Sequence, residues 1–251
     1  MWPYPRILAH RAGGKLAPEN TLAALKRGMQ AGFRAVEFDV MLARDGVPVL
    51  MHDDMLGRTV AGSGSVAGID ALALARMDAG AWFGSDHVGE PVPLFLEFAQ
   101  YCKAHGVWMN IEIKPVPGHE AATGTTVARM AAALFAEELA AGDVARAPLL
   151  SSFSETALAA ARDAAPQLPR AWLVKSPPRG WERRARALGA VALHVSHHAL
   201  DKPGQAAAIK AAGFGLFCYT VNDPARARTL LDWGVDGLCT DRIDLIGPDF
   251  A

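Results

Sequence analysis

Three carboxylates stand in two segments that otherwise have the composition of buried strands. Ala35–Leu42 carries Glu37 and Asp39, and Val107–Lys114 carries Glu112. Side chains alternate across a strand, so Glu37 and Asp39 should share one face while their apolar neighbours occupy the other. A buried carboxylate is costly unless it is paired with a cation or bound to a metal. The pattern therefore predicts a site at which acidic groups converge.

The charges around this site favour a divalent cation. Glu37, Asp39 and Glu112 contribute three negative charges, and Arg11 and Lys114 contribute two positive ones. The resulting −1 would repel an anion, whereas a divalent ion would make the site +1, which a phosphodiester then neutralises. Carboxylates without histidine or thiol suit Mg²⁺ or Ca²⁺ rather than zinc. The alternative is internal salt bridging, in which Lys114 pairs with one carboxylate and Arg11 with another, leaving one over.

Two histidines complete the candidate site. His10 ends the first apolar run, Ile7–His10, and His52 ends the run Val47–His52. An imidazole titrates near neutrality, so such a pair can act as general base and general acid. A lone histidine at a strand end is more often structural. Two of them beside an acidic cluster favour catalysis, although the residues do not assign the base and the acid.

Strand-like runs alternate with alanine-rich helical stretches along the chain, which implies parallel strands with crossover helices. The runs begin at Ile7, Ala35, Val47, Val107, Pro148, Arg170, Leu193, Gly215 and Gly237. About eight such units in 251 residues predict a (β/α)₈ TIM barrel. An open doubly wound sheet is the alternative, but Arg11-Ala-Gly-Gly is not its GxGxxG fingerprint. In a barrel, both histidines should lie at the mouth formed by the carboxyl ends of the strands.

The whole chain, residues 1–251, is predicted to form a single domain. The stretch from about 53 to 92 is too long for an ordinary connection and contains Gly62-Ser-Gly-Ser65 and Ala81-Trp82-Phe83. It could not bury a core of its own. We therefore expect a small insertion after the second strand, lying over one end of the barrel.

Composition excludes several classes of protein. Hydrophobic residues make up 51% and charged residues 20%, which excludes a disordered chain. The net charge of −1 gives no global attraction to nucleic acid or to an acidic membrane. Cys102, Cys218 and Cys239 lack CxxC spacing and predict buried free thiols. Without a signal peptide or an apolar run of about 20 residues, we expect a cytoplasmic protein with no membrane anchor.

Taken in order, these residues resemble the glycerophosphodiester phosphodiesterase family, most closely its small bacterial cytoplasmic members. Each motif alone is weak, but the ordered set runs nearly the whole chain and is specific. The motifs are His10-Arg11-Ala-Gly-Gly-Lys-Leu-Ala-Pro-Glu-Asn-Thr21, Glu37-Phe-Asp39, His52-Asp53, Leu74–Phe83, Glu112-Ile-Lys114, Ser151-Ser-Phe153, Tyr219-Thr-Val-Asn222 and Val235-Asp-Gly-Leu-Cys-Thr-Asp241.

The resemblance implies a TIM barrel that hydrolyses glycerophosphodiesters to sn-glycerol 3-phosphate and an alcohol. It implies a divalent metal, Mg²⁺ or Ca²⁺, held by Glu37, Asp39 and Glu112. It further implies that His10 and His52 are the acid–base pair. The attacking oxygen is either water or the glycerol 2-hydroxyl, which would pass through a cyclic phosphate.

Five residues are the candidates for substrate binding. By resemblance, Arg11 and Lys114 contact the phosphate. Asn20 could contact phosphate or support the site, or it could instead cap the helix that follows it. Phe153 and Tyr219 stand near strand ends and could line the alcohol pocket or pack in the core.

Two positions depart from the family pattern. The family usually has glycine where this chain has Ala12, so we expect a slightly reshaped turn on the phosphate side, because glycine allows positive φ. The family often has tryptophan where this chain has Tyr219, so the packing around the alcohol is open, whereas the chemistry is not affected. Two alternative functions stay open: a lysophospholipase D-like phosphodiesterase acting on lipids, and a catalytically silent barrel that binds phosphoesters. The preferred alcohol and the oligomeric state are also open.

Overall fold

A computed structural model describes residues 2–250, and eight parallel strands in that range close into a barrel. In chain order the strands are β1 Ile7–Ala9, β2 Ala35–Leu42, β3 Pro48–Leu50, β4 Trp108–Ile113, β5 Leu149–Ser152, β6 Arg170–Val174, β7 Ala192–Ser196, β8 Gly215–Tyr219 and β9 Gly237–Thr240. Following the ring, the order is β1, β2, β4, β5, β6, β7, β8, β9 and back to β1. The predicted (β/α)₈ TIM barrel is confirmed.

Helices surround this ring. They are α1 Leu22–Gln30, α2 Ala71–Leu74, α3 Phe95–Ala104, α4 Glu120–Leu134, α5 Ala136–Ala140, α6 Glu155–Ala164, α7 Trp181–Ala187, α8 Pro203–Ala211 and α9 Pro224–Asp232. The sequence predicts one long helix over about 121–141, whereas the chain divides it into α4 and α5 at Phe135. Along residues 2–250, every helix is too short or too polar to cross a membrane. The three cysteines are buried and unpaired, as predicted.

The alternation in β2 places its two classes of side chain as the sequence predicts. Phe38 packs outward against Phe95 and Phe98 of α3, with ring centroids 6.4 and 4.9 Å apart. On the opposite face, Asp39 lies beside Glu112 of the neighbouring strand β4. Outward packing against α3 thereby fixes the carboxylates on the inner face, because a slip of one residue would exchange the two faces.

The run Val47–His52 is not a barrel strand, and its place differs from the prediction of parallel units. Its central part, β3, pairs antiparallel with the end of β2, with Leu50 opposite Val40. The chain runs past the mouth, turns at Gly46, where φ is +77°, and returns along β2. Met51 then donates its backbone N–H to the carbonyl of Asp39 at 3.2 Å. His52 thus reaches the mouth on a returning strand.

The insertion, residues 53–92, packs on this β2–β3 hairpin. Its buried apolar side chains, among them Leu56, Val60 and Leu74, form one cluster with Met41 and Val49 of the hairpin. The insertion therefore shares an apolar core with the hairpin.

Close packing of α4 on α6 supports the strands β4 and β5 that precede these helices. A Cβ built on Gly124 of α4 would lie 2.1 Å from the carbonyl oxygen of Ala157 in α6. Gly124→Ala should lower the free energy of unfolding by about 1–3 kcal/mol in urea titration, because the helices must move apart. This is expected although alanine favours helix by about 1 kcal/mol.

Gly204→Ala in α8 is the matched control, because an added Cβ there meets nothing within 4 Å. It should be neutral or stabilising by up to about 1 kcal/mol. Equal stability of the two variants would show that the α4–α6 contact does not depend on a missing side chain.

Candidate active site

Three carboxylates meet at the mouth of the barrel, as the strand pattern predicts. One oxygen from each of Glu37, Asp39 and Glu112 lies within 4.8 Å of the other two. Glu37 and Asp39 are 4% and 2% exposed. Among residues 2–250, this is the one group of three or more His, Cys, Asp or Glu side chains with the spacing of metal ligands. The cluster could hold a metal ion.

Both nearby cations lie against the same carboxylate. Lys114 donates from Nζ to Oδ1 of Asp39 at 3.4 Å, and Arg11 Nε lies 3.6 Å from its Oδ2. Oε1 of Glu37 is buried without a hydrogen-bond partner in residues 2–250. Over the same range, the carboxylate of Glu112 forms no hydrogen bond or ion pair. Internal salt bridging therefore accounts for one carboxylate and leaves two, and an all-oxygen donor set of this kind fits a hard divalent ion.

Burial and mutual repulsion raise the pKa values of two carboxyl groups of the cluster, whereas neighbouring cations lower that of the third. Burial, with the charge of Asp39 added to it, raises the pKa of Glu112 to about 8 and that of Glu37 well above its usual range. Burial also opposes ionisation of Asp39, but Lys114 and Arg11 together lower its pKa to about 2. A bound cation would lower the pKa values of the two glutamates, as Lys114 and Arg11 lower that of Asp39.

Each histidine is held by an aspartate through Nδ1. The Nδ1 of His10 lies 2.6 Å from Oδ1 of Asp241, and the Nδ1 of His52 lies 2.6 Å from Oδ1 of Asp53. An ionised carboxylate only accepts, so Nδ1 carries the proton and Nε2 is left open. The Nε2 of His10 lies 3.8 Å from Oε2 of Glu37. Both imidazoles can therefore take or give a proton at Nε2, at the edge of the acidic cluster.

The two aspartates stay ionised for different reasons. Burial opposes ionisation of Asp241, but hydrogen bonds from His10 and Asn222 lower its pKa to about 2. The pKa of Asp53 is about 2 chiefly because Arg58 donates to it. Burial lowers the pKa of His52, against the opposing charge of Asp39. Asp53 and Asp241 both belong to the sequence motifs, but the motifs alone predict no role for either residue.

Two further charged residues surround Arg11. Its Nη1 donates to Oε1 of Glu19 at 2.7 Å, and Glu19 in turn accepts from Arg58 of the insertion. The sequence pattern predicts no role for Glu19 or Arg58. Glu19 lies inside the motif His10–Thr21 and Arg58 follows His52-Asp53, but a charged side chain at such a position is as typical of a solvated surface as of a site.

A left-handed turn brings the chain after β1 against the cluster. Arg11 and Ala12 have φ of +48° and +73°. The N–H of Arg11 donates to Oε2 of Glu37 at 3.1 Å, and the N–H of Ala12 donates to the carbonyl of Glu37 at 2.9 Å. Ala12 therefore keeps the positive φ expected of glycine, at a cost of roughly 1–2 kcal/mol.

Asn20 supports Asp39 and does not cap the helix. Its Nδ2 donates to Oδ2 of Asp39 at 2.9 Å, and its Oδ1 accepts from the N–H of Asp39 at 3.1 Å. The N-cap of α1 is Thr21, whose Oγ1 accepts from the N–H of Ala24 at 3.1 Å. The cap interpretation of Asn20 is thus wrong, and its amide, 3% exposed, faces Asp39.

Phe153, which follows β5, contacts Tyr219 at the end of β8. Their rings are 5.6 Å apart in a T-shaped arrangement, and Tyr219 donates its hydroxyl to the carbonyl of Val174 at 2.9 Å. Phe153 is 47% exposed, so core packing does not describe it. It lines a groove of about 340 Å³ that also contacts Glu112 and Lys114.

Comparison with known proteins gives a consistent set of similarities. The model of the glycerophosphoryl diester phosphodiesterase family matches residues 10–245. A glycerophosphodiester phosphodiesterase of Caldanaerobacter subterraneus subsp. tengcongensis is 30% identical over 240 residues, covering 94% of this chain and 93% of that protein.

Solved structures agree with this result. A phosphodiesterase of Oleispira antarctica, in complex with the product sn-glycerol-3-phosphate, superposes with a TM-score of 0.83 at 34% identity, covering 94% of this chain and 93% of that one. A glycerophosphodiester phosphodiesterase of Agrobacterium tumefaciens gives a TM-score of 0.78 at 28% identity, with coverage of 96% and 98%.

The raised pKa of Glu112 predicts a pH-dependent stability. Its value of about 8 in the folded chain exceeds about 4.3 in an unfolded one, so between these values the native state holds the extra proton. Stability from this group is complete below the unfolded pKa and is lost as pH rises through the folded pKa. In EDTA, the free energy of unfolding of the wild type relative to Glu112→Gln should therefore fall between about pH 5 and 8, on the order of 1 kcal/mol per unit.

Saturating Ca²⁺ or Mg²⁺ provides the control, because a bound ion would keep Glu112 ionised and remove this pH dependence from the difference. A difference that stays constant over the whole pH range in EDTA would contradict the repulsion within the cluster.

Proposed function

The chain belongs to the glycerophosphoryl diester phosphodiesterase family, and we propose that it hydrolyses glycerophosphodiesters with a divalent metal ion held by Glu37, Asp39 and Glu112. The chain is accordingly an enzyme, which excludes the alternative of a catalytically silent barrel. The observation that carries the metal site is the convergence of three carboxylate oxygens within 4.8 Å, two of the groups forming no ion pair with an arginine or lysine side chain among residues 2–250. The products are sn-glycerol 3-phosphate and an alcohol.

The donor set supports Mg²⁺ or Ca²⁺. All three side chains are carboxylates, and Oε1 of Glu37 is a buried acceptor with no partner among the described residues. When bound, such an ion neutralises phosphoryl charge and orients the reacting groups.

Arg11 and Lys114 bind the non-bridging oxygens of the phosphate. Both side chains are partly exposed, at 19% and 28%, and both lie against Asp39 at the edge of the cluster. Once the negative charge of the cluster is balanced, these two cations are available to a phosphodiester anion. Asn20 holds Asp39 in place from behind, with both amide atoms engaged.

His10 and His52 move the protons. Each presents Nε2, because Nδ1 is committed to an ionised aspartate. One imidazole takes the proton of the attacking oxygen, and the other gives a proton to the leaving alkoxide. The attacking oxygen is water or the glycerol 2-hydroxyl, and a transient cyclic phosphate in ³¹P spectra identifies the second route.

Phe153 and Tyr219 form an aromatic wall beside the phosphate site. The groove that Phe153 lines is contiguous with Glu112 and Lys114, so it is placed to receive one of the two groups of the diester. We assign this groove to the alcohol group of the diester.

One observation favours a second candidate function, the hydrolysis of lysophospholipids. Four large apolar side chains of the insertion are exposed: Met55 at 50%, Leu72 at 66%, Trp82 at 43% and Val88 at 65%. An apolar rim near the mouth would accommodate an acyl chain.

Release of sn-glycerol 3-phosphate from glycerophosphocholine tests the metal site directly. EDTA should abolish release, and added Mg²⁺ or Ca²⁺ should restore it, because three mutually repelling carboxylates cannot bind the phosphate alone. Full activity in EDTA would contradict the proposal, and turnover restricted to lysophosphatidylcholine would replace the first function by the second.

Removal of either imidazole tests the acid–base pair. His10→Ala and His52→Ala should each reduce turnover by about 10²- to 10⁴-fold while metal affinity is retained. His105→Ala is the matched control, because His105 is an exposed residue following α3 that stacks on Tyr101. Near-normal turnover of His10→Ala or His52→Ala would refute the role of that residue.

A further inference from the structure

The guanidinium of Arg58, from the insertion, connects the residues around His52 with those around Arg11. Arg58 donates from Nε to Oδ2 of Asp53 at 2.6 Å, and from Nη1 and Nη2 to the two oxygens of Glu19 at 2.8 and 2.7 Å. Asp53 holds Nδ1 of His52 at 2.6 Å, and Glu19 holds Nη1 of Arg11 at 2.7 Å. The chain of contacts therefore runs from an acid–base imidazole to a phosphate-binding guanidinium.

The geometry of this network is more specific than that of an ordinary surface ion pair. Arg58 binds Glu19 through two parallel hydrogen bonds and uses its remaining edge for Asp53, which only a planar fork of donors can do. The side chains of Glu19 and Asp53 are 12% and 29% exposed, so solvent screens them only in part.

Loss of Arg58 would act differently at the two ends. Asp53 would lose its second partner and could turn away from His52, which would free the ring to exchange tautomers. Glu19 would keep Arg11 as its main cationic partner and would draw it more strongly, in competition with the phosphate.

We propose that Arg58 is a positioning residue for the hydrolysis, through which the insertion supports the site. Through Asp53 it fixes the orientation and the Nδ1–H tautomer of His52. Arg58 also shares the carboxylate of Glu19 with Arg11. This weakens the attraction of Glu19 for Arg11, so that Arg11 stays available to the phosphate. This inference rests on the proposed function, since it takes His52 as an acid–base group and Arg11 as a phosphate ligand.

The other histidine offers an internal control. His10 is oriented by Asp241, whose second oxygen accepts from the amide of Asn222 at 2.9 Å. None of the hydrogen bonds of Arg58 within residues 2–250 reaches this pair. A change at Arg58 should therefore alter His52 and leave His10 as it is.

Steady-state kinetics of Arg58→Gln, with glycerophosphocholine as substrate, tests the inference. We expect a roughly 10- to 100-fold lower kcat, a higher KM for substrate and unchanged Ca²⁺ affinity, because partners that orient active groups typically contribute on this scale. Arg58→Lys keeps the charge but cannot make all three contacts, so it should recover activity only in part. Arg44→Gln is the matched control, because Arg44 forms an exposed pair with Asp70 of the same insertion.

Long-range ¹H–¹⁵N spectra of histidine-labelled protein provide a readout that a merely structural role would not move. The wild type should show one Nδ1–H tautomer for both His10 and His52. Arg58→Gln should show mixed tautomers at His52 alone, and Asp53→Asn should reproduce this change. If Arg58→Gln does not fold, the same spectra of Arg58→Lys decide the question.

Wild-type kinetics and an unchanged His52 tautomer in Arg58→Gln would overturn the inference. So would equal spectral changes at His10 and His52, which would indicate general loosening of the fold. These spectra need no substrate, so they test Arg58 even if the chain fails to hydrolyse glycerophosphocholine or His52→Ala keeps full turnover, either of which would refute the proposed function instead.

Discussion

Electrostatic repulsion among three carboxylates at the barrel mouth is the constraint around which the rest of the structure is arranged. Glu37 and Asp39 are nearly inaccessible, and the two cations at hand both lie against Asp39. The arrangement persists because the outer faces of β2 and β4 are packed against helices, so neither strand can slip without exposing apolar surface. Packing thus offsets an electrostatic cost, which a bound divalent ion would remove.

Rigid strands and irregular segments contribute differently to the site. The carboxylates stand on adjacent strands with fixed register, which suits a metal site that requires defined distances. The imidazoles come from the end of β1 and from the returning hairpin. The carboxylate at Nδ1 of His10 is that of Asp241, from a distant part of the chain, whereas the one at Nδ1 of His52 is that of the next residue, Asp53. The insertion adds Arg58, which donates to the same aspartate that holds His52.

The sequence predicts those parts of the site that depend on local periodicity. Alternation along β2 and β4 predicts the shared inner face, and strand ends predict the mouth. The antiparallel return of β3 was not predictable, because a short apolar run looks alike in both directions. Asp241 meets His10 only when β9 closes the ring onto β1, and Arg58 meets Glu19 only in the folded insertion. Asn20 and Thr21 are both good capping residues, and the contact with Asp39 decides between them.

The most direct measurement of the central claim is an anomalous difference map from crystals grown with Mn²⁺, which substitutes for Mg²⁺. The account predicts one peak between Glu37, Asp39 and Glu112, with an oxygen of each carboxylate within about 2.6 Å of it. Three carboxylates turned apart, or each satisfied by arginine or lysine with no ion between them, would contradict it.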